Sequence, residues 1–317
     1  MYSIRSSLQQ KISEMFHVKH PLESENQFVV DLLTTLRQER FSPLAWVRFL
    51  ARSWEMSCKT AHDNPSLKAS WLQVTLLIGI LATAIMLGSF LFEGQYAAFH
   101  LLPGFLFCVI WQQSDLFWHL GLNRQAQSGE LLPTVGLANT CTWLRGLGAS
   151  YLLGRLSGGL STPSWLALLV FLTGVATDIL DGQVARHTRT QSKLGQIGDG
   201  EADFCLYLAL TIILIQNNVL PLWLGLIMLL RFCVPLIAAL ASYLLFAHPV
   251  RFGSTRWGKY AGLAQSLYFV VLLAPARLMP ITQLAELPLL IATLFLLIVA
   301  PVAQIMENIR GARVART

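Results

Sequence analysis

The chain has 317 residues, of which 54% are hydrophobic and 13% charged, with a formal net charge of +6. That charged fraction is about half the roughly 25% of a soluble domain, which excludes a soluble enzyme and predicts an all-α, polytopic membrane helical bundle. The basic balance does not indicate nucleic acid, because no run of five or more basic residues exists and membrane topology itself asks for excess Lys and Arg.

Residues 1–70 are polar and mixed, with no compact apolar run before a small-residue cleavage site, so the expectation is a helical extension that stays attached. Within it Phe28, Val29, Leu32, Leu33 and Leu36 stand at helical spacing, then Pro43, then Leu44, Val47, Phe49 and Leu50 among Arg48 and Arg52. Two short amphipathic helices are predicted. Their basic, Trp-bearing faces (Trp46, Trp54) suit either the membrane interface or packing on the rest of the chain. His17 and His20 share a spacing that can ligate metal on a helix, but in so polar a segment they read as solvated.

Apolar windows of about 20 residues, each able to cross a bilayer core, then recur from Trp71. The predicted spans are 71–93, 97–120, 133–156, 163–183, 197–216, 219–246, 259–276 and 285–306. They divide into two additional transmembrane helices (71–122), a six-helix core (131–307) and a basic tail (308–317). Pro163, Pro221 and Pro288 are expected near span starts, where a missing backbone donor is harmless. The five cysteines are scattered, with no CxxC, so neither disulfides nor a cysteine-bound metal is expected.

Arg186, Arg189, Lys193, Arg251, Arg256, Lys259, Arg310, Arg313 and Arg316 fall on one side of these spans, against Arg155 and Arg277 on the other. The excess predicts that the first side, with both termini, is cytoplasmic.

Between residues 131 and 306 the acidic residues are Asp178, Asp181, Asp199, Glu201, Asp203 and Glu286, so five of six fall within 26 positions. Asp178 and Asp181 are three apart at the end of one span, and Asp199 and Asp203 four apart at the start of the next. On helices both spacings put a pair on one face. Four carboxylates aimed at one centre repel one another unless a cation sits between them, and oxygen-only ligands favour Mg²⁺, Mn²⁺ or Ca²⁺ over zinc. That is the chemistry of phosphoryl or diphosphate handling. Gly182 and Gly195 remove side chains where a nucleotide or backbone would approach, and Arg186 can take phosphate oxygens with both arms of its fork.

Asp178, Asp181, Gly182, Ala185, Arg186, Gly195, Asp199 and Asp203 fill every fixed position of D-x2-D-G-x2-A-R-x8-G-x3-D-x3-D, and in this the chain resembles the CDP-alcohol phosphotransferase family. "LANTCTWLR" (Asn139, Thr142, Arg145) is similar to the family's first-helix motif, and "GKYAGLAQ" (Gly258, Lys259, Gln265) to the start of its fifth helix. The resemblance covers residues 133–306 and implies nothing for the first two spans or residues 1–70. It implies that an acceptor hydroxyl attacks the β-phosphate of a CDP-linked lipid such as CDP-diacylglycerol, releasing CMP. It further implies two Mg²⁺ or Mn²⁺ ions held by Asp178, Asp181, Asp199 and Asp203, with Asp203 also the general base. Asn139, Thr142, Gly182, Ala185, Arg186 and Gly195 are the implied CDP site, and a homodimer in a bacterial inner membrane the implied setting.

Arg231 lies near the middle of "LIMLLRFCVPLIAAL", where a lone charge costs roughly 2.5 to 3.5 kcal/mol on insertion scales. Such a residue is expected to face a wet cavity or to pair inside the bundle. With Arg251, Arg256 and Lys259 it forms a candidate site for a phosphorylated acceptor, glycerol 3-phosphate or inositol phosphate. Two readings compete. An ion-coupled transporter would spread its acids across spans at mid-depth, and an intramembrane prenyltransferase would repeat its aspartate pairs in two separated loops, whereas these acids share one seam and one Gly, Ala and Arg framework.

Overall fold

The computed structural model describes residues 34–126, 128–246, 256–275 and 278–314. Among the described residues the chain is helical, with no strand beyond two isolated bridges. After a helical segment at 34–38 come α1 (Pro43–Asp63), α2 (Pro65–Glu93), α3 (Gln95–Trp118) and a 3-10 turn (Leu120–Leu122). Then follow α4 (Gly136–Ser157), α5 (Ser164–Thr188), α6 (Lys193–Gln216), α7 (Leu222–Phe246), α8 (Arg256–Leu273) and α9 (Met279–Val314).

Local chemistry sets the breaks. Ser42 caps α1 by accepting from Ala45 N at 3.2 Å, with Pro43 in the first turn. Asn64 alone separates α1 from α2, and Gly94, at φ 88°, turns the chain between α2 and α3. Arg189 ends α5 in the left-handed region at φ 54°, and Ser192 opens α6 by accepting from Gly195 N at 3.1 Å. Two expectations shift. Helix α1 is not short but runs for 21 residues to Asp63, while most of the first expected amphipathic helix, and with it His17 and His20, lies outside the described residues. Pro288 stands inside α9, not near its start, because that helix already begins at Met279.

Three helices are long and apolar enough to cross a membrane among the described residues: Pro65–Glu93, Ser164–Thr188 and Pro280–Ala303. Helix α4 sits at the centre, packed against α3, α5 and α6, while α8 pairs with α9. Much of α4 is buried, and a helix whose neighbours are protein has no need of a continuous apolar surface. Its sequence is accordingly rich in Gly, Ser and Thr and carries Arg145 and Arg155. Leu101, Phe105, Leu147, Leu152, Phe171 and Leu206 belong to the core around it.

Small residues let α3 and α4 touch. A Cβ on Gly154 would lie 2.8 Å from the Phe105 backbone nitrogen, and one on Gly158 would lie 2.3 Å from the His100 carbonyl oxygen. Nearby, Arg155 bonds Glu93 of α2 at 2.6 Å and the Ser161 carbonyl at 2.6 Å, closing this end of the bundle. At the opposite end the chain just after the 3-10 turn meets the α5–α6 turn, with Ala126 N donating to Gln191 O at 2.8 Å and Gln125 Nε2 to Arg189 O at 2.9 Å.

Backbone cannot swing aside as a side chain can, so Gly154→Ala should force α3 off α4. A loss of about 1 to 3 kcal/mol is expected for such overpacking, measurable as a lower melting temperature in detergent. Gly79→Ala, with open space around it, should leave that temperature unchanged.

Candidate active site

Four aspartates from two helices, α5 and α6, converge on Arg145 of α4. Thr142 and Arg145 are three apart on α4, Asp178 and Asp181 three apart on α5, and Asp199 and Asp203 four apart on α6, so each pair shares a face. Arg145 Nη1 donates to Asp178 Oδ1 at 2.7 Å, and Nη2 donates to Asp199 Oδ1 at 3.1 Å. Nη2 also lies 3.5 Å from Asp181 Oδ2, and Nε 3.3 Å from Asp203 Oδ1. The guanidinium enters from inside the bundle. Its side chain is 1% exposed, whereas Asp178 and Asp199 are 52% and 42% exposed, so the carboxylates are closed below and open above.

Glycine makes the guanidinium's path. A Cβ on Gly174, one turn before Asp178, would meet Leu206 Cδ2 at 2.7 Å and the Arg145 Cγ at 3.6 Å, so its absence lets the arginine stem pass between α5 and α6. The Thr142 hydroxyl lies 2.7 Å from Asp199 Oδ1 and 3.1 Å from Asp181 Oδ2. It has one proton to give, and the shorter contact is to Asp199.

From sequence Arg145 has a place in a motif and no role; the structure makes it the hub of the carboxylates. The signal available was a lone charge in a span, the same signal that singles out Arg231. Among the described residues no three His, Cys, Asp or Glu side chains form a ready metal cage, because the aspartates are drawn round Arg145 instead. The guanidinium is in effect a stand-in cation. Four carboxylates against one guanidinium leave a formal charge of −3 (−4 + 1), and the donor set is all oxygen, which fits a hard divalent ion.

The other expected residues divide. Asn139 is buried beside the quartet, its Nδ2 donating to Val135 O at 2.7 Å and Asn123 Oδ1 at 3.3 Å. Gly195 abuts it, since a Cβ there would lie 2.7 Å from Asn139 Oδ1. Arg186 is exposed and folds back over Gly182, where a Cβ would lie 3.2 Å from its Nη1, and Ala185 is half-buried on the same turn. Arg231 is half-buried apart from these. Its Nη1 donates to Gln265 Oε1 at 2.9 Å, its Cζ lies 4.6 Å from the Phe232 ring centre and 5.4 Å from that of Tyr207, and Gly262 leaves it room. Tyr207 is one turn from Asp203, which brings Arg231 to the edge of the carboxylate group. Lys259 is exposed on α8; Arg251 lies outside the described residues, and Arg256 is described only as the first residue of α8.

Asp115, His119 and Glu201 make a second polar contact, with His119 Nδ1 3.1 Å from Asp115 Oδ1 and Glu201, on α6, near both. Gln112, one turn earlier on α3, donates to the Trp143 carbonyl at 2.6 Å through a notch at Gly146, where a Cβ would lie 2.2 Å from its Nε2. The helices that carry Arg145 and Asp203 are therefore both held from α3.

A family model described as CDP-alcohol phosphatidyltransferase matches residues 135–303, just over half of the chain. A curated relative from Streptomyces coelicolor, named cardiolipin synthase (CMP-forming), is 39% identical over 74 residues, which are 23% of this chain and 34% of that protein. The chain thus spans about a third of the relative's length. No solved structure matches.

Thr142→Val keeps the shape and removes the hydroxyl, leaving carboxylate oxygens short of a donor. A destabilisation of about 1 to 3 kcal/mol is expected, read as a fall in melting temperature in detergent. Thr142→Ser should recover most of it.

Proposed function

The chain belongs to the CDP-alcohol phosphatidyltransferase family, and on that premise we propose that it transfers a phosphatidyl group from CDP-diacylglycerol to an alcohol that carries its own phosphate. The observation that carries the reading is the convergence of Asp178, Asp181, Asp199 and Asp203 on one point inside the family segment.

Asp178, Asp181, Asp199 and Asp203 would hold one or two Mg²⁺ or Mn²⁺ ions, which supply charge neutralisation of the diphosphate and of the departing CMP. Asn139, Thr142, Gly182, Ala185, Arg186 and Gly195 line the proposed CDP site. Gly182 leaves room for the Arg186 guanidinium and Gly195 for Asn139, and the exposed Arg186 fork is available to phosphate oxygens. The acceptor oxygen attacks the lipid-bearing phosphorus as the bond from that phosphorus to the bridging oxygen breaks. CMP leaves with the bridging oxygen and its electron pair, and the acceptor proton goes to the Asp203 carboxylate. Asp203 takes this role from its place in the family motif, and its side chain, 31% exposed, is open enough to meet an acceptor where the deeper Asp181, 5% exposed, is not.

Arg231, one turn of α6 above Asp203 through Tyr207, is the proposed reader of the acceptor's phosphate. Lys259, Arg251 and Arg256 are proposed to assist it. Glycerol 3-phosphate and inositol phosphate fit this description. The Streptomyces relative's name adds a third, phosphatidylglycerol, since cardiolipin is two phosphatidyl groups joined through a glycerol. On this reading α2 to α9 all cross a bacterial cytoplasmic membrane with the carboxylates at the cytoplasmic face, which the distribution of Lys and Arg supports. A homodimer packed through core helices completes the proposal.

Purified protein given CDP-diacylglycerol, a divalent ion and a panel of glycerol 3-phosphate, inositol phosphate, phosphatidylglycerol, inositol and serine should release CMP with at least one phosphate-bearing acceptor. Asp199→Asn should abolish release while the protein keeps its size-exclusion profile, and undiminished turnover in excess chelator would sink the metal assignment. Arg231→Ala should raise the acceptor KM about tenfold or more with little change in CDP-lipid affinity, and Arg231→Lys should restore only part, since an ammonium lacks the guanidinium fork. Equal loss of both affinities would make Arg231 a diphosphate ligand instead.

A further inference from the structure

Helix α1 has three faces, and two of them are unexplained by the site. One face, around Ala45, Ser57 and Ala61, is buried against the protein, with Ser57 donating to the Trp118 carbonyl and Trp118 Nε1 donating to Ser53 Oγ at 2.7 Å. The exposed remainder splits in two at helical spacing. Leu44, Val47, Leu50 and Trp54, exposed by 64%, 62%, 44% and 43%, line one sector. Arg48, Arg52, Glu55 and Lys59, all exposed, line the other. A helix in water has no use for the first sector, and a helix buried in protein has none for the second.

We propose that α1 lies in the plane of the bilayer interface, its Leu44–Val47–Leu50–Trp54 sector against lipid acyl chains and its Arg48–Arg52–Lys59 sector toward headgroups and water. Tethering favours lipid as the occupant. Only Asn64 separates α1 from α2, which is itself long and apolar enough to span the membrane, so α1 is held at the membrane's surface. The chain turns at Asn64 so that Trp54 meets Phe117 and Trp118 of α3 at ring-centre distances of 5.2 and 5.9 Å. Trp71 joins Phe117 at 4.9 Å and donates from Nε1 to Gln113 O. Such half-bonded indoles suit the headgroup level, where one end is wet and the other apolar.

The apolar sector also continues into a cleft. Trp54, Trp71, Val109, Gln113 and Phe117 line a cavity of ≈ 440 Å³ between α2 and α3. Gln113 is 8% exposed, takes a bond from Thr75 through Oε1 at 3.1 Å, and has no partner for Nε2. This largely apolar slot continues the surface that α1 turns to acyl chains.

Nitroxide labels test the placement in full-length protein reconstituted at low protein-to-lipid ratio. They go at Val47→Cys and Leu50→Cys in one sector and Arg52→Cys and Lys59→Cys in the other, in a Cys58→Ser background whose residual labelling is subtracted. Collision with oxygen relative to a water-soluble nickel chelate should be about threefold or more higher at 47 and 50 than at 52 and 59. Equal nickel access at all four positions would put α1 in water. Shielding of 47 and 50 from both reagents would give that sector to protein, either a second copy or residues 1–33. Either result overturns the proposal. All four positions are exposed, so an altered size-exclusion profile at one leaves the comparison to the other three.

Discussion

One guanidinium facing four carboxylates is the constraint round which the core is arranged. Arg145 reaches Asp178, Asp181, Asp199 and Asp203 from a side chain that is 1% exposed, and a charge so enclosed is tolerable only when its partners surround it. Much follows from that. Helix α4 must be central so that its arginine can face α5 and α6 at once, Gly174 must lack a side chain, and Thr142 must present its hydroxyl one turn away. The arrangement is also unbalanced. Because negative charge outnumbers positive, the carboxylates on the open side carry charge that Arg145 leaves unmatched, which is where a divalent cation would act.

The repeat of acids three and four apart was legible because helix geometry maps those intervals to one face regardless of tertiary packing. Helix positions were legible for the same reason, since apolar windows of bilayer length leave few alternatives. Arg145's place as hub was not. It depends on how far α5 stands from α6 at Gly174, a distance that no pattern within one helix records. Pro288 misled because a proline in a helix reads as a start, whereas α9 carries both Pro288 and Pro301 within it. The length of α1 was missed because its polar residues beyond Arg52 dilute the apolar spacing that the first turns show.

Arg231 shows how a charge can live deep in an apolar helix. Two aromatic rings, a glutamine oxygen and the space over Gly262 receive it, and none of these is an anion. An arginine set among neutral groups keeps its fork half-committed, since among the described residues its hydrogen-bond acceptor is Gln265, against five donors. That differs from Arg145, whose guanidinium is ringed by four carboxylates. On the proposed reading the two arginines divide the labour of charge, Arg145 holding the protein's own groups and Arg231 receiving the acceptor.

The contact between α3 and α4 carries a consequence for where this protein can be cut. The family segment begins at residue 135, yet α4 receives Gln112 through the Gly146 notch and the Phe105 backbone against Gly154, both from upstream of that border. Excision at the border would open a trench along α4, floored by bare backbone and by a Trp143 carbonyl stripped of its second donor. The stretch recognisable by descent is thus shorter than the stretch that packs as one bundle, and the hairpin of α2 and α3 belongs to the second.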